Sequence, residues 1–199
     1  MKINLEQIYK ELQAWREERK ITAESQKAGY IVNVMEELGE LAQALRDYEK
    51  FSKHDCPYCE IDKQKAEHDI INAFCSISIF IVNTEFTING GLINKISSFD
   101  TDKYEPSDFA DLHALLYYIS QYPIEWKDIY VKEILELIAK ILEVDYGYNF
   151  ELAMNETIKQ ISSYTGTYDE ASKKWIKDES DEAKAKWYQA DYQLARIKQ

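Results

Sequence analysis

Three glutamates, Glu36, Glu37 and Glu40, stand together where apolar residues recur every three or four positions. That period predicts an amphipathic helix over residues 30–48, which places the three side chains on adjacent turns of one narrow face. Like charges at this spacing repel by roughly 0.2–0.5 kcal/mol per pair in an isolated helix. Mg²⁺ prefers carboxylate oxygens and would neutralise this acidic cluster. The alternative interpretation is a solvated acidic face in an acidic protein.

A second helix is predicted to supply the remaining metal ligands, because polar residues interrupt an otherwise apolar stretch that begins near residue 62. Asp69, Asn72 and Ser76 fall at i, i+3 and i+7, inside an arc of roughly 60°. A buried polar group is costly without a partner, so a shared metal ion would account for both polar sets. Glu67 is a rival ligand, but Asp69 is favoured because it is in register with Asn72.

Helical periodicity covers most of the chain, and only 6 glycines and 3 prolines argue against a turn-rich β protein. The sequence therefore predicts an all-α fold, a helical bundle with additional helices. We expect one domain, 1–199, with a possible insertion at about 87–125, and residues 87–106 are predicted to be a linker or an insertion. The predicted helices cover residues 5–20, 22 to about 53, 62 onward, 108–121, 126–144, 150–162 and a final stretch from 179.

Residues 76–80 also permit a β-strand, because apolar and polar residues alternate there and several are β-branched. A helix is favoured, since the apolar run extends past the usual length of a strand and no second strand is available to pair with it. The stretch is therefore predicted to belong to a buried central helix.

Composition excludes some classes of protein. Hydrophobic content of 45% with 13% aromatic residues does not fit a disordered chain. A net charge of −12 opposes a general affinity for nucleic acid or anionic membranes. The N-terminus has no apolar signal core, and we expect no apolar run to approach the length of a membrane span. These features predict a cytoplasmic protein that binds neither nucleic acid nor membrane.

The chain has three cysteines, two of them in Cys56-Pro57-Tyr58-Cys59. This spacing is that of thiol-redox motifs, but the motif lies here between two helical patterns rather than after a strand. With His54 it offers only three zinc-type ligands, where a structural zinc site needs four. A connecting loop with reduced thiols is the favoured interpretation.

The spacing of the carboxylates resembles that of a known family. Glu36-Glu37-x-x-Glu40, a gap of 28 residues and Asp69-x-x-Asn72 are similar to the E-E-x-x-E…E-x-x-D signature of the all-α NTP pyrophosphatases. This MazG-like group includes dimeric dUTPases and phage nucleotide pyrophosphohydrolases. The first half of the signature matches fully, whereas the second half has Asp69 for the usual Glu and Asn72 for the usual Asp. Residues 155–192 are similar to the C-terminal part of longer phage-type members.

The resemblance implies hydrolysis of a (deoxy)nucleoside triphosphate to the monophosphate and pyrophosphate, with Mg²⁺ or Mn²⁺ as cofactor. The chemistry of the residues agrees: Glu37, Glu40, Asp69 and Asn72 are the predicted metal ligands, and Glu36, if not fully engaged with the metal, could orient or deprotonate the attacking water. The resemblance also implies a homodimer or a higher homo-oligomer. Two alternatives stay open: a dUTPase-like enzyme that also accepts the diphosphate, and a non-catalytic helical partner protein that retains the fold.

Further residues could contact the substrate. Three lysines near the C-terminus form a basic set that could hold the phosphates or could be a solvated face; they are Lys159, Lys174 and Lys177. Three aromatic side chains could stack on a base or pack in the core; they are Tyr30, Trp175 and Tyr188. Asn33, one turn before Glu37, could contact a base edge or bond across helices.

Overall fold

The structure is a computed structural model that describes residues 2–53, 57–89, 98–100 and 109–197. The predicted all-α fold is confirmed. The helices are α1 (Glu6–Glu18), α2 (Ala23–Ser52), α3 (Pro57–Asn89), α4 (Phe109–Glu125), α5 (Asp128–Lys140), α6 (Phe150–Ser162) and α7 (Asp181–Lys184). The strands are β1 (Lys2–Asn4), β2 (Ser98–Asp100), β3 (Gly166–Asp169) and β4 (Lys174–Lys177). They form two antiparallel pairs, β1 with β2 and β3 with β4.

The long helices α2 and α3 form the frame that carries the acidic cluster. A capping box starts α2: the Thr22 hydroxyl accepts a hydrogen bond from the Ser25 amide, and the Ser25 hydroxyl accepts one from the Thr22 amide, both at 3.2 Å. α2 runs antiparallel to α3, since Glu37 faces Ser76 while Asp47 borders the same depression as Ala66. All four predicted metal ligands lie on these two helices, Glu37 and Glu40 on α2 and Asp69 and Asn72 on α3.

α3 is the central helix of the core, as predicted. Its residues Ile70, Phe74 and Ile77 have no solvent exposure, and the helix is continuous through 76–80, so the strand alternative is wrong. By length and composition alone, residues Tyr58–Ile88 could cross a membrane, contrary to the expectation that no run approaches that length. Of the apolar window, however, 72% is buried inside the protein, as in the core helix of a water-soluble protein.

The predicted linker at 87–106 lies largely outside the described residues. Within the described part, α3 continues to Asn89, and residues Ser98–Asp100 form β2. α4 then contributes Leu115, Ile119 and Tyr122 to the same buried cluster that includes side chains of α2, α3 and α5. The hydrophobic core therefore includes part of the segment that was considered a possible insertion.

The C-terminal segment differs from the predicted final helix. Between residue 179 and the last described residue, 197, the helical structure is one turn, α7, and a 3₁₀ turn at Tyr192–Ala195, and the hairpin of β3 and β4 precedes them. The Arg19 guanidinium lies 4.9 Å from the centroid of the Trp15 ring and 4.8 Å from that of the Trp175 ring. These cation–π contacts attach the hairpin to α1.

We expect Gly166→Ala to destabilise the fold by about 1–3 kcal/mol. A Cβ at this position of β3 would lie 2.3 Å from the carbonyl oxygen of Ile176 and 2.5 Å from Cζ2 of Trp175, so the hairpin would have to open. Gly39→Ala is the matched control, because a Cβ there meets nothing within 4 Å. In urea unfolding the control should gain roughly 0.5–1 kcal/mol from its helical position. Equal changes in the two variants would contradict this packing.

Candidate functional site

The acidic cluster lies on α2 where this helix faces α3, and its three carboxylates differ in environment. Glu36 and Glu40 are exposed, whereas the side chain of Glu37 is half-buried against α3. The Oε2 atom of Glu37 is shielded from solvent and accepts no hydrogen bond. A shielded carboxylate oxygen without a partner is unusual, because protein interiors pair nearly all of their buried polar atoms.

Burial raises the pKa of the Glu37 carboxyl from 4.5 to about 7, and the charges of Glu40 and Glu36 add to the increase. The Ser76 hydroxyl of α3 donates a hydrogen bond to the carboxylate, which stabilises the ionised form and partly offsets the increase in pKa. Desolvation and like charges both disfavour the ionised form, so a nearby cation would stabilise it. Glu37 is therefore a carboxylate of the acidic cluster whose ionised form a bound cation would stabilise.

The structure does not bring Asp69 to Glu37. In the antiparallel register Glu37 meets Ser76, and Asp69 lies seven residues away, about 10 Å along α3 at 1.5 Å per residue. The Asp69 side chain is 51% exposed and lies 3.5 Å from Nδ1 of His68. It borders a small depression that Asp47 also lines. Of the predicted polar positions on α3, Ser76 is thus the one in contact with the acidic cluster.

Asn72 and Glu67 have other protein partners. The Asn72 Oδ1 atom accepts a hydrogen bond of 3.0 Å from the Tyr192 hydroxyl, which joins α3 to the C-terminal segment. The Glu67 Oε2 atom accepts hydrogen bonds from the Tyr148 hydroxyl at 3.0 Å and from Arg196 at 3.2 Å. Both contacts tie α3 to the end of the chain, which gives these polar residues a structural role.

Within 2–53, 57–89, 98–100 and 109–197, no three His, Cys, Asp or Glu side chains are arranged to hold a metal ion. Of the predicted ligands Glu37, Glu40, Asp69 and Asn72, Asp69 lies apart from Glu37 along α3, and binding of one ion by the predicted set stays a prediction. The acidic cluster itself does fit a divalent cation, because Glu37 Oε2 lacks a partner while Glu36 and Glu40 lie beside it. Mg²⁺ keeps several water ligands and needs only one or two carboxylates, so this donor set suits it.

Of the three predicted lysines, Lys177 is the one connected to the acidic cluster through a shared neighbour, Tyr164. Its ammonium group lies 3.7 Å from the centroid of the Tyr164 ring and 4.0 Å from that of Trp187. Burial lowers the pKa of Lys177. The charge of Glu37 contributes to the raised pKa of Tyr164, so the two side chains are within electrostatic range. Tyr164 and Trp187 were missed as site residues, because neither lies near Glu37 in sequence.

The other two predicted lysines lie elsewhere. Lys174 and Lys177 belong to β4, whose exposure alternates, so their side chains point to opposite faces of the hairpin. Lys159 forms an ion pair of 2.6 Å with Glu156, and the Tyr188 hydroxyl donates to the same carboxylate. The three predicted lysines thus lie in three different places, and Lys159 and Tyr188 share the Glu156 carboxylate of α6 as a partner.

Two aromatic candidates pack inside the protein. Tyr30 is 2% exposed, and its hydroxyl donates to the carbonyl of Ile119 at 3.3 Å. Trp175 is half-buried in the hairpin beside Arg19. These contacts favour the core-packing interpretation for both. Asn33 is half-buried on α2, one turn before Glu37.

The cysteines differ from the expectation of reduced thiols, since Cys59 is disulfide-bonded. His54 and Cys56 lie outside the described residues. Cys59, as part of a disulfide, offers no thiolate to a zinc ion in this structure. Cys75 is a free, buried cysteine on α3, and burial raises the pKa of its thiol to about 12. This thiol stays protonated at neutral pH and is not a reactive nucleophile.

Comparison of the chain with protein-family models, curated proteins and solved structures finds no match. The similarity to the MazG-like group consequently depends on the motif residues alone. What the structure adds is independent of any relative: an all-α fold and a half-buried, unpartnered carboxylate in the first half of that motif.

We expect Tyr192→Phe to destabilise the protein by about 1–2 kcal/mol, because it removes the donor to Asn72 Oδ1 and the 2.8 Å contact with the Thr157 hydroxyl. Tyr58→Phe is the matched control, since Tyr58 is 82% exposed and should change stability by less than about 0.5 kcal/mol. Urea unfolding of both variants measures the difference. Equal stability of the two would show that this hydrogen-bonded connection contributes little.

Proposed function

We propose that the protein is a Mg²⁺-dependent nucleotide pyrophosphohydrolase, which cleaves a (deoxy)nucleoside triphosphate to the monophosphate and pyrophosphate. The observation that supports this most is Glu37, with its shielded, unpartnered Oε2 and a pKa raised to about 7 beside two more carboxylates. Uncompensated charge of this kind is typical of functional sites, because it costs stability and gains nothing for the fold. The motif that Glu37 shares with the MazG-like group agrees with this interpretation.

The proposed metal ligands are Glu37 and Glu40, and the exposed Glu36 beside them would orient the attacking water. When bound, the ion would offset the carboxylate charge and stabilise negative charge on the phosphate oxygens. Glu37 must lose its proton before it can ligate, so metal affinity is expected to rise with pH through about 7. Asp69 and Asn72 are not part of this set.

Lys177 is the proposed cationic contact for the phosphate chain. It is held by two aromatic rings rather than by a carboxylate, so its charge is available to an anion. Tyr164, which packs under Lys177, is also the residue that links it electrostatically to Glu37. A triphosphate could therefore contact Lys177 at one end and the metal site at the other.

The proposal includes a homodimer or a higher homo-oligomer. Apolar side chains on α2 and α4 are exposed next to the acidic cluster and border a groove of about 360 Å³ between these helices. The most exposed of them are Ile31, Met35 and Leu116. A contiguous exposed apolar surface favours a protein interface, and light scattering of the purified protein tests for a second copy.

A panel of nucleotides, assayed for released pyrophosphate with and without Mg²⁺, tests the function. The proposal predicts pyrophosphate and monophosphate from at least one triphosphate, only when the divalent ion is present. Release of inorganic phosphate from a nucleoside diphosphate would favour the dUTPase-like alternative. Absence of turnover on every nucleotide would favour the non-catalytic partner protein.

A further inference from the structure

A groove of about 530 Å³ lies between α1 and α6, and no residue of the acidic cluster lines it. Trp15 forms part of its wall, and the exposed side chains of Leu152 and Leu194 lie at its border. Its volume is within the range of small-molecule sites, which are commonly apolar with a few fixed polar groups. The proposed pyrophosphohydrolase function makes no use of this groove.

Asn155 is the polar residue of α6 that distinguishes the groove. It lines the groove, and its Oδ1 atom is shielded from solvent and has no hydrogen-bond partner. A shielded carbonyl oxygen without a donor destabilises the protein. A ligand with an N–H group in the adjoining groove would supply the missing donor.

Three glutamates line the groove, and two of them form ion pairs. Glu18 forms a 2.9 Å ion pair with Arg19, and Glu156 forms a 2.6 Å ion pair with Lys159. Glu11 lines the same groove, and its described hydrogen bond comes from the neutral amide of Gln7 at 2.6 Å. Lys159 also lies within electrostatic range of Glu11. Three carboxylates and one ammonium group line the groove, so its lining is net negative beside the apolar wall.

We propose that this groove binds a small organic monocation with an apolar body, of the arylalkylammonium type. The ammonium group donates to Asn155 Oδ1 and offsets the charge of Glu11. The hydrocarbon part packs against Trp15 and the two leucines, where an indole also attracts a nearby cation. An anion would meet the Glu11 charge and would leave the Asn155 oxygen without a donor.

Phenethylammonium is the probe, with 2-phenylethanol and 3-phenylpropionate as its neutral and anionic analogues. Titrations by calorimetry on the full chain should show saturable binding of the ammonium, about ten-fold tighter than the alcohol and with no binding of the carboxylate. Glu11→Gln and Asn155→Leu should each weaken it by about ten-fold. Glu24→Gln, an exposed glutamate on α2, is the matched control and should bind as the wild type does.

Asn155→Leu should also raise the melting temperature in the absence of ligand, since it removes the unpartnered oxygen. Glu11→Gln is a nearly isosteric change of a half-buried side chain, so it keeps the test valid if Asn155→Leu does not fold. The proposal is overturned if phenethylammonium does not bind, if either analogue binds as tightly, or if the folded Glu11→Gln variant binds it as the wild type does.

Discussion

Glu37→Gln and Glu40→Gln are each expected to lower the rate of pyrophosphate release by about 100-fold or more. Glu37 has the unpartnered, shielded oxygen of the site, and Glu40 is the neighbour whose charge contributes most to its raised pKa. Each substitution removes one negative charge from the proposed metal ligands and changes little else in shape. Pyrophosphate release at saturating Mg²⁺, with circular dichroism to confirm the helix content, measures the effect.

Glu24→Gln serves as the control for both variants, because Glu24 is exposed in the first turn of α2 and lies more than three turns before Glu37. It should retain the wild-type rate. Near-normal turnover in folded Glu37→Gln and Glu40→Gln would remove the acidic cluster from the reaction.

Glu37→Gln is also expected to stabilise the metal-free protein at pH 8, by roughly 1–3 kcal/mol. The folded protein holds the Glu37 proton up to a pKa of about 7, whereas the unfolded chain releases it near 4.5. A raised carboxyl pKa contributes stability at low pH, and this contribution is lost as the pH rises from 4.5 through 7. Glutamine avoids that loss, so the advantage of the variant should grow over the same interval and level off above it.

Urea unfolding in the presence of a chelator, at pH 5 and at pH 8, measures this second effect. The gain in unfolding free energy of Glu37→Gln should be much smaller at pH 5 than at pH 8, while Glu24→Gln should track the wild type at both. A gain that is the same at the two pH values would show that the ionisation of Glu37 is not its cause.

The sequence predicts the helices well where one buried stripe persists over many turns. The boundaries predicted for α6, 150–162, agree with the structure. Thr22 is the N-cap residue of α2, as predicted from its hydroxyl side chain. The hairpin of β3 and β4 was missed because four-residue strands of mixed polarity have no helical or alternating pattern long enough to detect. Its attachment to Arg19 is a long-range contact that no local pattern contains.

The sequence predicted the part of the site on α2 but not the residue of α3 that faces it, and the reason is geometric. A helical wheel gives the direction of a side chain around its own axis, and it correctly placed Glu37 toward α3. It does not give the offset between two packed helices, which depends on the connection between them and on the packing of both. The structure sets that offset so that Ser76, not Asp69, meets Glu37. The predicted lysines are likewise not close together. Lys174 and Lys177 lie on a strand, where residues three positions apart point to opposite faces.

The most direct test of the central claim is a calorimetric titration of Mg²⁺ into the wild type, Glu37→Gln and Glu40→Gln at pH 8. The account predicts saturable binding to the wild type that each variant weakens by about ten-fold or more. Absence of binding to the folded wild type, or equal binding by all three proteins, would contradict it.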